Sequence, residues 1–207
     1  MAVDLAELVA PPHTAVVTSE VQRGVIGDSS ALPELATAAR DAKLIPNVAK
    51  LVRAARRAGV RVIHGTAFHR GDGLGGNRNA RLFAAMKRST VGMLEGSPAT
   101  EVVPEIGVEQ SDLVLPRVHG LGPMAGTELD PVLRNMGVST IVVVGVSVNI
   151  AVQNLAFDAV NNGYQVVIPR DAVAGVPAEY AETVLDNTLS LVATLTTTAD
   201  LVRIWKQ

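Results

Sequence analysis

Thr140-Ile141-Val142-Val143-Val144-Gly145-Val146-Ser147-Val148-Asn149-Ile150-Ala151 passes from a β-branched run, through a glycine, into a segment of helical period that lasts to Asn162. Gly163-Tyr164 ends that helix, and Gln165-Val166-Val167-Ile168 begins a second apolar run at once. The first run, Thr140 to Gly145, lacks polar alternation, so it reads as a strand buried on both faces. Two such strands joined by a full helix pair side by side in parallel, because a tight hairpin is excluded by the length between them.

The same grammar extends outward in both directions. Short apolar runs occur at Ala15 to Thr18, Val60 to His64, Leu113 to Pro116 and Leu191 to Leu195, making six with the two above. Between the first two, Pro46 to Ala58 places Val48, Leu51, Val52 and Ala55 on one helical face and Lys50, Arg53, Arg56 and Arg57 on the other, with Gly59 as the stop. Thr127 to Met136, ended by Gly137, is a further helix, and Asp200 to Lys206 is a terminal one with Thr198 as its cap. Strand and helix alternation of this kind predicts a mostly parallel sheet covered by helices. Two irregular stretches, Gly71 to Asn79 and Gly92 to Pro104, follow the second strand. Ligands of open parallel sheets bind outside the carboxyl ends of the strands, so these loops are where substrate choice is expected, between Gly71 and Pro104.

Composition narrows the function. The chain has 207 residues, 48% of them hydrophobic, and a formal net charge of -2. This suits one globular domain over residues 1–207 rather than a disordered chain. Eighteen Lys and Arg against twenty Asp and Glu leave no basic surplus for nucleic acid or an anionic membrane, and aromatics at 3% supply no stacking platform. A small-molecule ligand is the expected partner. Asp4 and Glu7 stand where a secretory signal would be basic, so a cytoplasmic location is expected. There is no cysteine, which excludes disulfides, thiolate metal sites and a thiol nucleophile.

Three strand ends carry chemistry. The first strand runs into Ser19-Glu20-Val21-Gln22, the third into Arg117-Val118-His119, and the fourth into Ser147-Val148-Asn149-Ile150-Ala151, where a helix begins and its free N–H groups favour negative charge. A carboxylate, a guanidinium and a helix start therefore come to one edge of the predicted sheet. His119 suits acid, base or donor work near neutral pH, or is an ordinary loop histidine.

On these residues the chain resembles the isochorismatase-like family of cysteine hydrolases, from about Thr14 to about Leu201. The resemblance is densest in Gly145 to Ala151, Ala156-Phe157-Asp158-Ala159, Gly163-Tyr164 and Asp171-Ala172, with Glu20-x-Gln22 and Gly126-Thr127-Glu128-Leu129 in support. It implies a three-layer α/β/α sandwich around a mostly parallel, six-stranded, Rossmann-like sheet, and assembly into homodimers or tetramers. It further implies that the family's catalytic Asp, Lys and Cys correspond to Glu20, Arg117 and Ala151, so that all three differ here. Gln22, His119, Ser147, Asn149 and Ile150 fall at substrate-binding or supporting positions, and Ser147 lies where the family has a strained, often cis, peptide.

Without a thiol the amidase chemistry of the cysteine members is not expected. Relatives that cleave a vinyl ether need a carboxylic acid instead of a nucleophile, which Glu20 supplies with one methylene more than Asp, while Arg117 suits a carboxylate. The opposing expectation is a silent relative in which Glu20 and Arg117 simply pair and the fold serves ligand binding or assembly. His64 and His69 have no acidic neighbour at the spacing of the family's metal set, so neither metal nor cofactor is expected. Phe68 and Leu121 are candidate pocket walls.

Overall fold

The computed structural model describes residues 4–86 and 92–206. Residues 87–91, inside the segment expected to choose the substrate, lie outside the described residues. Seven strands are present among the described residues: β1 (Thr14–Ser19), β2 (Arg61–Ala67), β3 (Leu113–Arg117), β4 (Thr140–Val146), β5 (Gln165–Pro169), β6 (Val173–Ala174) and β7 (Thr194–Thr196). The sheet runs β3-β2-β1-β4-β5-β7, with β6 beside β4, and every pairing is parallel. The expected parallel α/β architecture is present, with one strand more than the six anticipated.

The extra strand, β6, has only two residues and is a strand because Gly145 and Val146 offer it a partner. The last strand was expected at Leu191 to Leu195 and instead starts at Thr194, paired with Val167. Leu189–Leu191 forms a 3-10 turn, and Leu191 is 81% exposed. An apolar run alone does not separate a strand from a turn feeding one.

Eight α-helices are present among the described residues: α1 (Leu5–Leu8), α2 (Pro33–Asp41), α3 (Leu44–Ala58), α4 (Arg81–Met86), α5 (Leu129–Asn135), α6 (Gln153–Asn161), α7 (Ala178–Asn187) and α8 (Thr198–Ile204). α3 begins two residues before Pro46, because a proline in the first turn removes an N–H that has no intrahelical acceptor. Its end is as expected, with Gly59 at φ 78. Arg56 departs from its expected place on the polar face: its side chain is 8% exposed. α8 is capped by Thr197 and not by Thr198; the Thr197 hydroxyl accepts from the Asp200 N–H at 3.2 Å. The Thr198 N–H and hydroxyl instead donate to the Asp171 carboxylate at 2.7 and 3.1 Å.

Buried side chains divide into two cores, one on each side of the sheet. Val16, Val62 and Val144 pack with Leu51, Val52 and Ala55 of α3 and Leu201 of α8, whereas Ala15, Val17, Ile63 and Val143 pack with Leu133 of α5, Leu155 of α6 and Leu185 of α7. Alternate residues of β1 thus enter opposite cores, which is why its whole run is buried and unalternating. Each such Val or Leu contributes about 1.5–3 kcal/mol of transfer free energy. No helix among the described residues is long and apolar enough to cross a membrane.

Chain order reverses between β1 and β4, which lie side by side at the centre. In open α/β sheets that switch point opens a crevice at the carboxyl ends of the strands. Glu20, in the segment after β1, Arg117, the last residue of β3, and Ala151, in the segment after β4, all lie at that edge.

Candidate functional site

The site is built on a very close approach of β1 and β4. Gly145 has φ 112, and a Cβ there would lie 2.2 Å from the Ser19 carbonyl oxygen. Only glycine fits a backbone turned this way against its neighbour. The Ser19 hydroxyl crosses the same gap and donates to the Val146 carbonyl at 3.0 Å. The next residue, Glu20, adopts φ 53 while its N–H donates to Gly65 O at 2.9 Å, so the chain leaves the sheet at the acid.

Arg117 is the last residue of β3 and is paired in register with Ala67 of β2. Its carbonyl accepts from Phe68 N–H at 3.0 Å, and its Nη2 donates to Glu20 Oε1. The two side chains are 5% and 19% exposed. Arg117 Nε and Nη1 are buried without an acceptor among the described residues. A buried unsatisfied donor costs about 1–3 kcal/mol, more when charged, so nothing in stability alone favours this arrangement.

Gln22 is fully buried, and its amide is consumed by backbone. Nε2 donates to Ala67 O at 2.9 Å and Thr100 O at 2.7 Å, and Oε1 accepts from Ala67 N–H at 2.8 Å. These bonds clamp the end of β2 to the segment after β1, which is a structural role and leaves no amide hydrogen for a ligand.

After β4 the Val146–Ser147 peptide is cis, and Val148–Val152 forms a π-helical turn before α6 begins, where a continuous α-helix from Asn149 was expected. The Val152 N–H reaches the Ser147 carbonyl at 3.0 Å, one residue beyond α spacing. Ala151 is 3% exposed on this turn. The loop after β3 lies against it: a Cβ on Gly122 would sit 3.4 Å from Ala151 O and 2.5 Å from Asn154 Oδ1. Ser147, Asn149 and Ile150 are half-buried. Asn149 Nδ2 donates to Val176 O at 3.3 Å, which ties it to the loop after β6, and its Oδ1 has no partner among the described residues.

His119 is exposed, which is the ordinary loop placement, and a Cβ added at Gly126 would lie 3.2 Å from its Cε1. The glycine-rich loop closes on this turn, with Asn77 Oδ1 accepting from Gly120 N–H at 2.8 Å. Phe68 is half-buried and Leu121 is 41% exposed. His69 is exposed on a bridge to Leu94. Among the described residues no group of three or more His, Asp or Glu side chains is placed to hold a metal.

A second polar cluster escaped the sequence reading. His64 is fully buried; its Nδ1 lies 3.0 Å from Thr18 Oγ1 and its Nε2 3.4 Å from Asp112 Oδ2. Arg56 grips the same carboxylate with Nε at 3.2 Å and Nη2 at 2.5 Å. Burial pushes the imidazole below its ordinary value, with Asp112 opposing. Burial would raise the Asp112 carboxyl, but the Arg56 bonds, the Glu109 N–H and the nearby positive charges outweigh it and hold the group low. Hydroxyl, imidazole and carboxylate have the connectivity of a nucleophile triad, yet Thr18 is 1% exposed, so no substrate carbonyl reaches it. The only sequence signal was a histidine and a threonine inside apolar runs. A surface groove of about 480 Å³ between Val160, Tyr164 and Leu191 lies at the amino end of β5, on the opposite edge from Glu20.

The family described as Isochorismatase domain matches residues 14–200. The isochorismatase family protein YwoC of Bacillus subtilis is 31% identical over 179 residues, 83% of either chain. The ureidoacrylate amidohydrolase RutB of Serratia proteamaculans is 25% identical over 186 residues, covering 84% of this chain and 74% of that one. A cysteine hydrolase from Pseudomonas syringae superposes with a TM-score of 0.78 at 25% identity, over 100% of this chain and 99% of its own.

Proposed function

The chain belongs to the isochorismatase family, and from that premise we propose that it is a hydrolase working without a thiol, on a small carboxylated molecule, by general acid catalysis. The observation that supports this reading is the buried Arg117, whose Nε and Nη1 have no described acceptor while the adjoining Glu20 carboxylate is 19% exposed. A guanidinium with free donors is suited to a ligand carboxylate.

In this reading Arg117 receives the carboxylate of an enolpyruvyl ether. Glu20, in its acid form, gives its proton to the terminal vinyl carbon. The ether oxygen supplies electrons to form an oxocarbenium ion, and water adds to the internal carbon that bears this oxygen, giving a hemiketal. The hemiketal then breaks its bond to the alcohol oxygen, releasing the alcohol and a 2-oxoacid, and the proton from water returns to Glu20. Ala151, which has no nucleophilic atom, takes no part.

The test is pyruvate release from isochorismate, followed through a coupled dehydrogenase, with Glu20→Gln beside the parent chain. Release that vanishes in a folded Glu20→Gln supports the reading; equal release in both, or none from the parent at high enzyme concentration, rejects it. The Glu20–Arg117 ion pair favours a second reading, a ligand-binding family member without turnover. Binding of small carboxylates with no hydrolysis is its signature. Assembly as a homodimer or tetramer is proposed with either reading and is checked by sedimentation.

A further inference from the structure

We propose that two copies of this chain join along the outer edge of β3, strand against antiparallel strand, about a two-fold axis at Val114. This rests on the homodimer or tetramer reading, to which it gives a face, and is independent of the hydrolase reading.

The sheet ends in β3 on one side and β7 on the other. β7 is only three residues long, and short length protects an edge. β3 has five residues and is paired on one side alone, with β2. Successive residues of a strand face opposite sides of a sheet, and Leu113 and Val114 are 39% and 43% exposed, so neither face of β3 is fully covered. No charged residue lies between Leu113 and Pro116. Asp112, just before them, is turned inward to Arg56, and Arg117, just after, bonds to Glu20. An outward charge is the usual guard of an edge strand, and here only Pro116 interrupts an apolar one.

The backbone decides how a partner strand can lie. Arg117 O accepts from Phe68 N–H, so Arg117, Leu115 and Leu113 turn their backbone groups towards β2, while Val114 and Pro116 turn theirs outward. Proline has no N–H, which leaves Val114 with the outward donor of the strand. A second copy meets this edge with the same pattern. In an antiparallel pair centred on Val114, the Val114 N–H of each copy donates to Val114 O of the other, the two Val114 side chains meet, and Leu113 of each copy lies opposite Leu115 of the other. Pro116 then faces Asp112 of the second copy. Pro116 has no proton to give, and the Asp112 N–H is already donated to Glu109 O at 2.9 Å, so the ladder stops there without stranding a donor. Moving the axis by one residue sets Leu113 opposite Arg117 or Val114 opposite Asp112, whose side chains are held inside their own subunit. The register at Val114 is the one in which each exposed apolar side chain of β3 meets an apolar partner.

The experiment is sedimentation velocity of the full chain and of Val114→Lys, with circular dichroism as the check on folding. The parent is expected to be a dimer or tetramer. Val114→Lys brings two ammonium groups together at the axis and is expected to raise the dissociation constant of this contact about 100-fold or more. A second variant keeps the question open to refutation if the lysine disturbs folding. The chain has no cysteine, so Val114→Cys carries a single thiol; its two copies would lie about 5.5 Å apart at Cα, within the range of a disulfide. Oxidation of this variant is expected to give a covalent dimer at a rate independent of protein concentration. A folded Val114→Lys that sediments like an oligomeric parent, or cross-linking of Val114→Cys that slows in proportion to dilution, overturns this interface and leaves the assembly reading standing. A monomeric parent rejects both.

Discussion

Gly145 and Ser19 approach so closely that a methyl group on Gly145 would lie 2.2 Å from the Ser19 carbonyl oxygen and 2.9 Å from its nitrogen. The contact joins the two central strands where the chain order reverses, directly before Glu20 and the cis Val146–Ser147 peptide. Gly145→Ala must move backbone against backbone, and its φ of 112 is foreign to an L side chain. A loss of about 3 kcal/mol or more is expected in urea unfolding. Gly71→Ala, with nothing within 4 Å of the added carbon, serves as control and stays within about 0.5 kcal/mol. Equal midpoints for the two variants would contradict the steric account.

Arg56 is the counter-ion of a carboxylate that is 1% exposed. It also donates to the Ile106 and Gly107 carbonyls at 3.3 and 3.0 Å, binding the segment before β3 to α3. Removing one partner of a buried pair leaves a stranded charge, so Arg56→Ala is expected to cost about 3–5 kcal/mol. Arg56→Lys recovers part of this, because one ammonium cannot span both carboxylate oxygens and two carbonyls. Adding Asp112→Asn to Arg56→Ala is expected to cost less than the sum of the single changes, measured by chemical unfolding. Strict additivity would show that the two side chains act independently.

His64 makes stability depend on pH. Burial lowers its folded value below the ordinary 6.5, so the unfolded chain binds the proton at higher pH than the folded one. Its contribution is therefore fully present above that ordinary value and is lost as the pH falls through the folded value, at a slope of up to about 1.4 kcal/mol per pH unit. Asp112, also held low, adds a separate loss below its ordinary 3.8. Urea midpoints between about pH 7 and pH 5 are expected to fall in the parent chain and to fall less in His64→Gln. A parallel decline in both would assign the effect to other groups.

Several features were legible in the sequence for identifiable reasons. Strands buried on both faces must be apolar at successive positions, so β1, β2, β4 and β5 announce themselves as runs such as Ala15 to Thr18 and Thr140 to Gly145. α3 shows its buried stripe and its Gly59 stop. α2 and α7 are less legible, although Pro33 at the first turn of one and Pro177 before the other are starting signals: α2 buries only Ala36 and Ala39, and α7 only Ala181, Val184 and Leu185, too few positions for a clear stripe. β6 and β7 were missed or misplaced because two or three residues become a strand only by pairing with β4 and β5.

The sequence by itself determined the layered parallel α/β class, the family, and the lack of a thiol, since each depends on residue type and local period alone. Only the tertiary structure decided that Glu20 bonds to Arg117 across 97 residues, that two further nitrogens of Arg117 are buried without described acceptors, and that Gln22 is spent on backbone. The same holds for the union of Thr18, His64, Asp112 and Arg56. Local patterns report which face a side chain turns inward, whereas bonds between distant side chains depend on strand order and register, which set Arg117 at the end of β3, beyond β2 from the acid that follows β1.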